Sequence, residues 1–212
     1  DFFRPQTQNT EYMAISTPPS AEYELMVSED RGNWGLLPGT KIEIEKVSEL
    51  ASSHSIHNVK FIGKEASETA VKALSGESPS IMHFATHGYF ITSNETASRN
   101  NFLQQTTGYS WGSHLMLYSG LLFAGANEVW NGNAKPNPVD DGVLTADEIS
   151  RLDFSNTNLV VLSACDTGKG HQNGTDGAMG LQRAFKAAGA KTMVTSLWQV
   201  PDEATSRLMQ HF

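Results

Sequence analysis

The stretch NLVVLSACDTGKG, residues 158–170, places four apolar residues directly before Ser163, Ala164 and Cys165, and polar and glycine-rich sequence follows. A short apolar run that ends in turn residues is typical of a buried strand in a parallel sheet. The chain of 212 residues has one cysteine, and this pattern places it at the carboxyl end of the predicted strand. Ligand sites in open parallel sheets form at that end of the strands.

A second apolar stretch, SIMHFAT (residues 80–86), leads in the same way to His87 and Gly88. If the two strands are neighbours, the imidazole and the thiol project into one crevice. A histidine beside a cysteine favours the reactive thiolate, and the N–H groups of Gly88 and Cys165 would supply two oxyanion donors. The pattern therefore predicts acyl transfer: thiolate attack on a carbonyl, protonation of the leaving amine by His87, and hydrolysis of the thioester.

Strand and helix patterns alternate along the rest of the chain, which predicts an α/β fold with a mainly parallel central sheet and right-handed crossovers. Thr40 is the expected N-cap of the first helix, and Thr145 and Glu148 have the spacing of a capping box. Gly76 and Gly189 are expected to end two helices. The predicted helices are LPGTKIEIEKVSEL, SETAVKALSG, TADEISRL, DGAMGLQRAFKAAG and a last one from Pro201, and the further strands are HNVKFIG and KTMVTSLW.

Two segments lack a regular pattern. Residues 1–38 are irregular apart from a short strand at 23–27, so residues 1–35 are interpreted as an N-terminal arm or linker and residues 36–212 as one domain. A long insertion at about 88–142 has regular structure expected only at 115–126, and it is a candidate gate or activation loop. The last predicted helix runs to the end of the chain, from which we expect the sequence to be part of a longer one.

Composition narrows the class of protein. The net charge is −8 and no basic cluster is present, which argues against nucleic acid or an anionic membrane as a partner. No apolar run approaches the roughly 18 residues of a membrane-spanning helix. A single cysteine permits no internal disulfide, and we expect a cytoplasmic protein. The glycine-rich GKGHQNGTDG lacks phosphate-loop spacing, so no cofactor is expected.

The blocks IMHFATHGYF (81–90), LVVLSACDTGKG (159–170) and DGAMGLQRAFKAAGAKTMVTSLWQVPDEAT (176–205) resemble the CHAT domains, which are similar to separases and more distantly to caspases. The resemblance covers about residues 36–212. It implies a caspase-like three-layer α/β sandwich, a His87–Cys165 dyad, and an oxyanion hole at Gly88 and Cys165. CHAT domains often follow tetratricopeptide-type helical repeats, so a regulatory repeat domain or an activator protein is an implied partner.

Substrate choice is also part of the resemblance. Separases prefer arginine before the cut and carry acids in the segment that aligns with SLWQVPDEAT (196–205). Asp202 keeps one of those acids, whereas Gln199 replaces the other. The resemblance thus implies a protein substrate with a basic residue before the cut, and a pocket formed by Asp202 with Asp166 and Trp198.

Several of these residues have simpler interpretations. Cys165 taken alone would be a buried structural thiol. Asp166 suits a turn, Asp202 suits the first turn of a helix, and Trp198 suits a core or pocket wall. His83, four residues before His87, is expected on the same strand face, where it would help to orient His87. A zinc site of His83, His87 and Cys165 is disfavoured, as is calcium at Asp140-Asp141-Gly142.

The residues predict a cysteine endopeptidase that cleaves a specific protein substrate. A second hypothesis is a catalytically silent CHAT-like module that binds a partner peptide at a sheet edge or in the cleft. A third is a thiol hydrolase or acyltransferase acting on small molecules, on the same scaffold.

Overall fold

The computed structural model describes residues 34–35, 37–90, 116, 119–131, 133, 140–163, 174–195 and 202–210, and the backbone of 11–16. Within these ranges only the backbone is described for residues 90, 174–178, 202, 203 and 205. The described strands are β1 (Glu11–Ser16), β2 (His57–Ile62), β3 (Ile81–Ala85), β4 (Gly88–Phe90), β5 (Ser119–Leu122), β6 (Val143–Thr145), β7 (Leu159–Leu162) and β8 (Thr192–Thr195). The described α-helices are α1 (Pro38–Ser53), α2 (Glu68–Lys72), α3 (Ala126–Trp130), α4 (Ala146–Ser150), α5 (Gly174–Ala187) and α6 (Asp202–Met209).

The main sheet has five strands in the order β2-β1-β3-β7-β8, and every pair of neighbours is parallel. The predicted α/β class and the mainly parallel sheet are therefore confirmed. The strands that precede His87 and Cys165, β3 and β7, are direct neighbours in the register Phe84 opposite Leu162. Their carboxyl ends consequently lie side by side at one edge of the sheet.

Helices cover both faces of this sheet. Successive residues of a strand point to opposite faces, so each strand contributes side chains to both layers. On one face Phe84 packs against Phe123 and Phe185, with α4 and α5 contributing to the same apolar cluster. On the other face Ala85 packs against Ile44 of α1. The hydroxyl of Ser206 in α6 donates to the carbonyl oxygen of Gly39, which attaches α6 to α1. No helix in the described ranges is long and apolar enough to cross a lipid bilayer.

A second, antiparallel sheet with the order β4-β5-β6 is formed by the region predicted as a long insertion. The prediction that only residues 115–126 are regular is wrong, because β4 begins at Gly88, directly after His87. The sheet packs through a small cluster in which Tyr89, Leu122 and Val143 are buried. It therefore fixes the chain that leaves His87.

Other local expectations have mixed outcomes. The capping box of Thr145 and Glu148 is present, and Gly76 and Gly189 have the expected left-handed backbone. Thr40 is not an N-cap: α1 begins earlier, at Pro38, and the Thr40 hydroxyl donates to the carbonyl oxygen of Leu37. Proline suits a first helical turn because its missing N–H needs no partner there.

The predicted arm contains a strand of the main sheet. Glu11–Ser16 pairs in parallel with both β2 and β3, so the expectation of irregular structure is wrong for these six residues. The strand predicted at residues 23–27 lies outside the described residues. The division of the chain at residue 35 stays a prediction.

Gly142 offers a test of the join between β6 and α3. Its φ is 78°, and a Cβ there would lie 2.7 Å from the carbonyl oxygen of Ala124 and against the backbone of Ala126. Gly76, with a φ of 87°, has open space around the same position. Gly142→Ala should lower the free energy of unfolding by about 1–2 kcal/mol for the left-handed backbone and about 1–3 kcal/mol for the overlap.

Gly76→Ala is the matched control, because it should carry the backbone cost alone. Urea denaturation followed by circular dichroism measures both variants. Equal losses in the two variants would contradict the close approach at Gly142.

Candidate functional site

His87 lies between the two sheets. It follows β3 and directly precedes β4, and it is 7% exposed. Its carbonyl oxygen accepts a hydrogen bond of 2.9 Å from the N–H of Leu122. The expectation that His83 and His87 share a strand face is wrong, because β3 ends at Ala85 and the chain turns toward the second sheet. The backbone of His87 is thus fixed by β3 on one side and β5 on the other.

The imidazole of His87 is oriented by a backbone carbonyl. Its Nε2 lies 2.6 Å from the carbonyl oxygen of Gly35. A carbonyl only accepts hydrogen bonds, so Nε2 carries the proton and donates it. In the neutral ring the lone pair then resides on Nδ1, which is the nitrogen able to take up a proton. Sequence reasoning missed Gly35, which has no reactive side chain.

Trp34 holds the Gly35 carbonyl in place. The side chain of Asn127 in α3 accepts from the Trp34 N–H at 3.0 Å and donates to the Trp34 carbonyl oxygen at 3.1 Å. The Trp34 ring is 5.2 Å from the His87 ring and 5.3 Å from Trp130, measured between ring centroids. The second sheet and its helix α3 thereby fix the segment that orients His87.

The N–H of Gly88 is directed away from β5. Gly88 is paired with Leu121, and the bond from Leu122 N–H to the His87 carbonyl makes this a pair whose own N–H groups are not used between the two strands. Strand β4 is at the edge of its sheet, with β5 as its neighbour among the described strands. The Gly88 N–H therefore points to the outer side of that edge, next to His87.

The register of β3 and β7 relates His87 to Cys165. Phe84 is opposite Leu162, and the N–H of Ser163 donates to the Phe84 carbonyl oxygen at 2.8 Å. His87 and Cys165 each follow this last pair by three residues in the sequence. Strands β3 and β7 therefore end side by side at the same edge of the sheet. That Cys165 lies close to His87 stays a prediction.

Cys165, Asp166 and Trp198 lie outside the described residues, as does Gln199. Asp202 is the first residue of α6, as its interpretation as a first-turn acid predicts, but its side chain is outside the description.

A buried polar cluster beside β3 and β7 was not predicted. The His83 Nε2–H donates to Glu43 Oε1 at 2.6 Å, and the Ser163 hydroxyl donates to Glu43 Oε2 at 2.9 Å. Glu43 of α1 is 1% exposed and His83 is 3% exposed. The sequence carried one signal: Glu43 shares a helical face with Thr40 and Val47, which is where core residues are expected.

A charged cluster supports the far end of the second sheet. Glu68 Oε2 accepts from the N–H groups of Asp141 and Gly142 at 2.8 and 3.0 Å, and its other oxygen pairs with Lys72. Lys72 Nζ also lies 3.0 Å from Glu148 Oε1. Burial raises the pKa of Glu68. The turn at residues 141–142 is therefore bonded to α2.

Asp141 has a strongly perturbed carboxyl group. Burial raises its pKa from an ordinary 3.8 to about 7, and the nearby negative charges of Glu68 and Glu148 add to the shift. Its Oδ1 accepts from the Val143 N–H at 2.9 Å, which opposes the shift. This carboxyl group lies in the turn before β6, whereas His87 precedes β4.

Comparison with known proteins places this arrangement in a family. The family model described as the CHAT domain matches residues 4–212. Tetratricopeptide repeat protein 28 of Mus musculus is 29% identical over 185 residues, and the protein of the same name in Homo sapiens is 26% identical over 184. Each match covers 86% of this chain and 7% of the relative, so the chain corresponds to a small part of those proteins.

The raised pKa of Asp141 predicts a pH-dependent stability. Between pH 3.8 and about 7 the folded state holds a proton that the unfolded chain has lost. The free energy of unfolding should therefore fall as the pH rises from about 4 to 7. Asp141→Asn keeps an oxygen for the Val143 N–H but removes the titration. Urea denaturation at several pH values should show a flatter profile for this variant, and identical profiles would contradict the assignment.

Proposed function

Because the chain belongs to the CHAT domain family, we propose that it is a cysteine endopeptidase with Cys165 as the nucleophile and His87 as the general acid and base. The observation that carries the proposal is the parallel pairing of β3 with β7. His87 and Cys165 follow the paired residues Phe84 and Leu162 by three positions each in the sequence, so two strands that end side by side lead to the two proposed catalytic residues. A thiol and an imidazole at such an edge are the parts of a nucleophilic dyad.

The hydrogen bond to Gly35 gives His87 a suitable protonation pattern. With Nε2–H donated to the carbonyl oxygen, Nδ1 takes the proton of the Cys165 thiol, and the imidazolium that forms is stabilised by the same carbonyl. A backbone carbonyl here has the part that an aspartate has in serine proteases, where it holds the tautomer and the orientation of the ring. No charged third residue is required for this.

The reaction then proceeds in two steps. The thiolate attacks the carbonyl carbon of the scissile peptide, and the C–N bond breaks as His87 returns a proton to the leaving amine. Water, deprotonated by His87, hydrolyses the thioester and releases the acid and the thiol. The N–H groups of Gly88 and Cys165 stabilise the oxyanion of each tetrahedral intermediate, and the outward direction of the Gly88 N–H supports this.

The proposed substrate is a protein segment with a basic residue before the cut. Asp202, Asp166 and Trp198 form the proposed pocket, in which a carboxylate would pair with a guanidinium or ammonium group. Asp202 begins α6, and the Ser206 hydroxyl bonds to Gly39 at the start of α1. This bond attaches α6, the helix that Asp202 begins, to α1.

The proposal extends to architecture and partners. A five-stranded parallel sheet with helices on both faces is consistent with the caspase-like sandwich that we propose. The relatives are named as tetratricopeptide repeat proteins. We therefore propose that a helical-repeat region, in the same chain or in another, regulates the site. We also propose that the protein acts in the cytoplasm and without a cofactor.

The first test is cleavage of a mixed peptide library, analysed by mass spectrometry. Wild-type protein should produce cuts that are absent with Cys165→Ala, and His87→Ala should slow them by roughly 10²- to 10⁴-fold, as loss of a general acid–base does. Lys or Arg before the cut would support the acidic pocket. Cuts that persist in Cys165→Ala would contradict the proposal.

The second candidate function is a silent module that binds a partner peptide. One finding favours it: the names of the relatives state repeats and no peptidase activity. The edge strands β2 and β8 of the main sheet offer backbone groups to which an extended peptide can add.

Alkylation of Cys165 separates the two functions, and the thiol is a clean target because the chain has one cysteine. A peptidase should react rapidly with iodoacetamide at neutral pH, with a pH profile shifted below the ordinary thiol pKa of about 8.5. His87→Ala should slow the reaction and remove the shift. An equally slow reaction in wild type and His87→Ala would favour the silent module.

A further inference from the structure

Three polar side chains meet in the layer between α1 and the main sheet. They are Glu43, His83 and Ser163, and they are 1%, 3% and 7% exposed. Both oxygens of the Glu43 carboxylate are used, one by each of two neighbouring strands: His83 of β3 bonds to Oε1, and Ser163 at the end of β7 bonds to Oε2. The carboxylate therefore bridges β3 and β7.

The bridge is close in sequence to both proposed catalytic residues. His83 precedes His87 by four residues, and Ser163 precedes Cys165 by two. The main-chain bond from the Ser163 N–H to the Phe84 carbonyl oxygen is the last described hydrogen bond between the two strands. Any slip of β7 against β3 would break the bond at one of the two carboxylate oxygens.

Stability does not account for the bridge. The same layer contains buried apolar side chains, among them Ile44, Ala51 and Ala85. Taking polar and charged groups out of water is costly, and apolar residues of similar volume often replace a buried ion pair with no loss or with a gain in stability. Directional hydrogen bonds, unlike apolar packing, fix a particular position. A positional role is therefore the better explanation.

The three residues do not form a second nucleophilic triad. In such a triad the serine hydroxyl donates to the imidazole, and the imidazole donates to the acid. Here the Ser163 hydroxyl donates to the carboxylate, so no base receives its proton on the path to a nucleophile. All three groups are also buried away from solvent.

We infer that Glu43 is a positioning residue, which sets β3 and β7 in the relative position that brings His87 and Cys165 together. The inference rests on the proposed function. Helix α1 thus acts on the site through one carboxylate that both strands share.

The test replaces the bridge by apolar residues of similar size, in the triple variant Glu43→Met, His83→Leu, Ser163→Ala. Its urea midpoint should equal or exceed that of the wild type. Its rate of Cys165 alkylation at neutral pH should fall on the order of 10-fold, toward the rate of an ordinary thiol with a pKa of about 8.5, because a displaced His87 no longer stabilises the thiolate. The pH profile should move toward that of an ordinary thiol.

Ser48→Ala is the matched control. Ser48 is buried in the same helix, and its hydroxyl donates to Asn58 at 2.6 Å, away from β3 and β7. This variant should keep the wild-type alkylation rate. If the triple variant does not fold, Ser163→Ala alone removes one arm of the bridge and should slow alkylation in a folded protein.

The outcomes distinguish the inference from the function on which it rests. If the folded triple variant alkylates like the wild type while His87→Ala is slow, the positioning role is wrong and the dyad stands. A wild-type rate that His87→Ala does not change overturns the dyad and the inference together. A slow triple variant beside an unchanged Ser48→Ala supports the bridge.

Discussion

The parallel pairing of β3 with β7 is the interaction on which the rest of this structure depends. It joins two apolar strands from distant parts of the sequence, in a register that sets Phe84 opposite Leu162. Both faces of the pair are covered by helices, through Phe84 on one side and Ala85 on the other. Because parallel strands end at the same edge, β3 and β7 end next to each other, and this is the basis of the proposed dyad of His87 and Cys165. The proposed chemistry therefore depends on sheet register rather than on local sequence.

His87 is fixed by groups that are far from it in the sequence. The Leu122 N–H bonds to its carbonyl oxygen, the Gly35 carbonyl accepts from its ring, and Trp34 packs beside the ring. Asn127 in turn holds both backbone polar groups of Trp34. Two other chain segments, at residues 34–35 and 119–131, thus hold His87. A change in any of these contacts would alter the orientation of the ring. The second sheet is therefore part of the proposed site.

The layer under α1 shows a balance between stability and position. Burial of Glu43 and His83 among apolar side chains is unfavourable by itself, and their hydrogen bonds offset that cost without a clear surplus. The bridge fixes the position of β3 relative to β7, because Glu43 bonds to each strand through a different oxygen. An apolar layer would hold the sheet together equally well and would tolerate small shifts between strands. The proposed dyad of His87 and Cys165, whose two residues follow two different strands in the sequence, would not tolerate them.

The sequence by itself determined the α/β class, the strands before His87 and Cys165, and the capping box at Thr145, because these depend on apolar periodicity and on side chains within a few residues of one another. It did not reveal β1 (Glu11–Ser16). This short segment forms a strand because it pairs with β2 on one side and with β3 on the other. Nor did it reveal the Gly35 carbonyl or the Glu43 bridge. Their partners are distant in the chain, and a backbone oxygen or a buried carboxylate leaves no local signature. Only tertiary packing decides which of such groups meet.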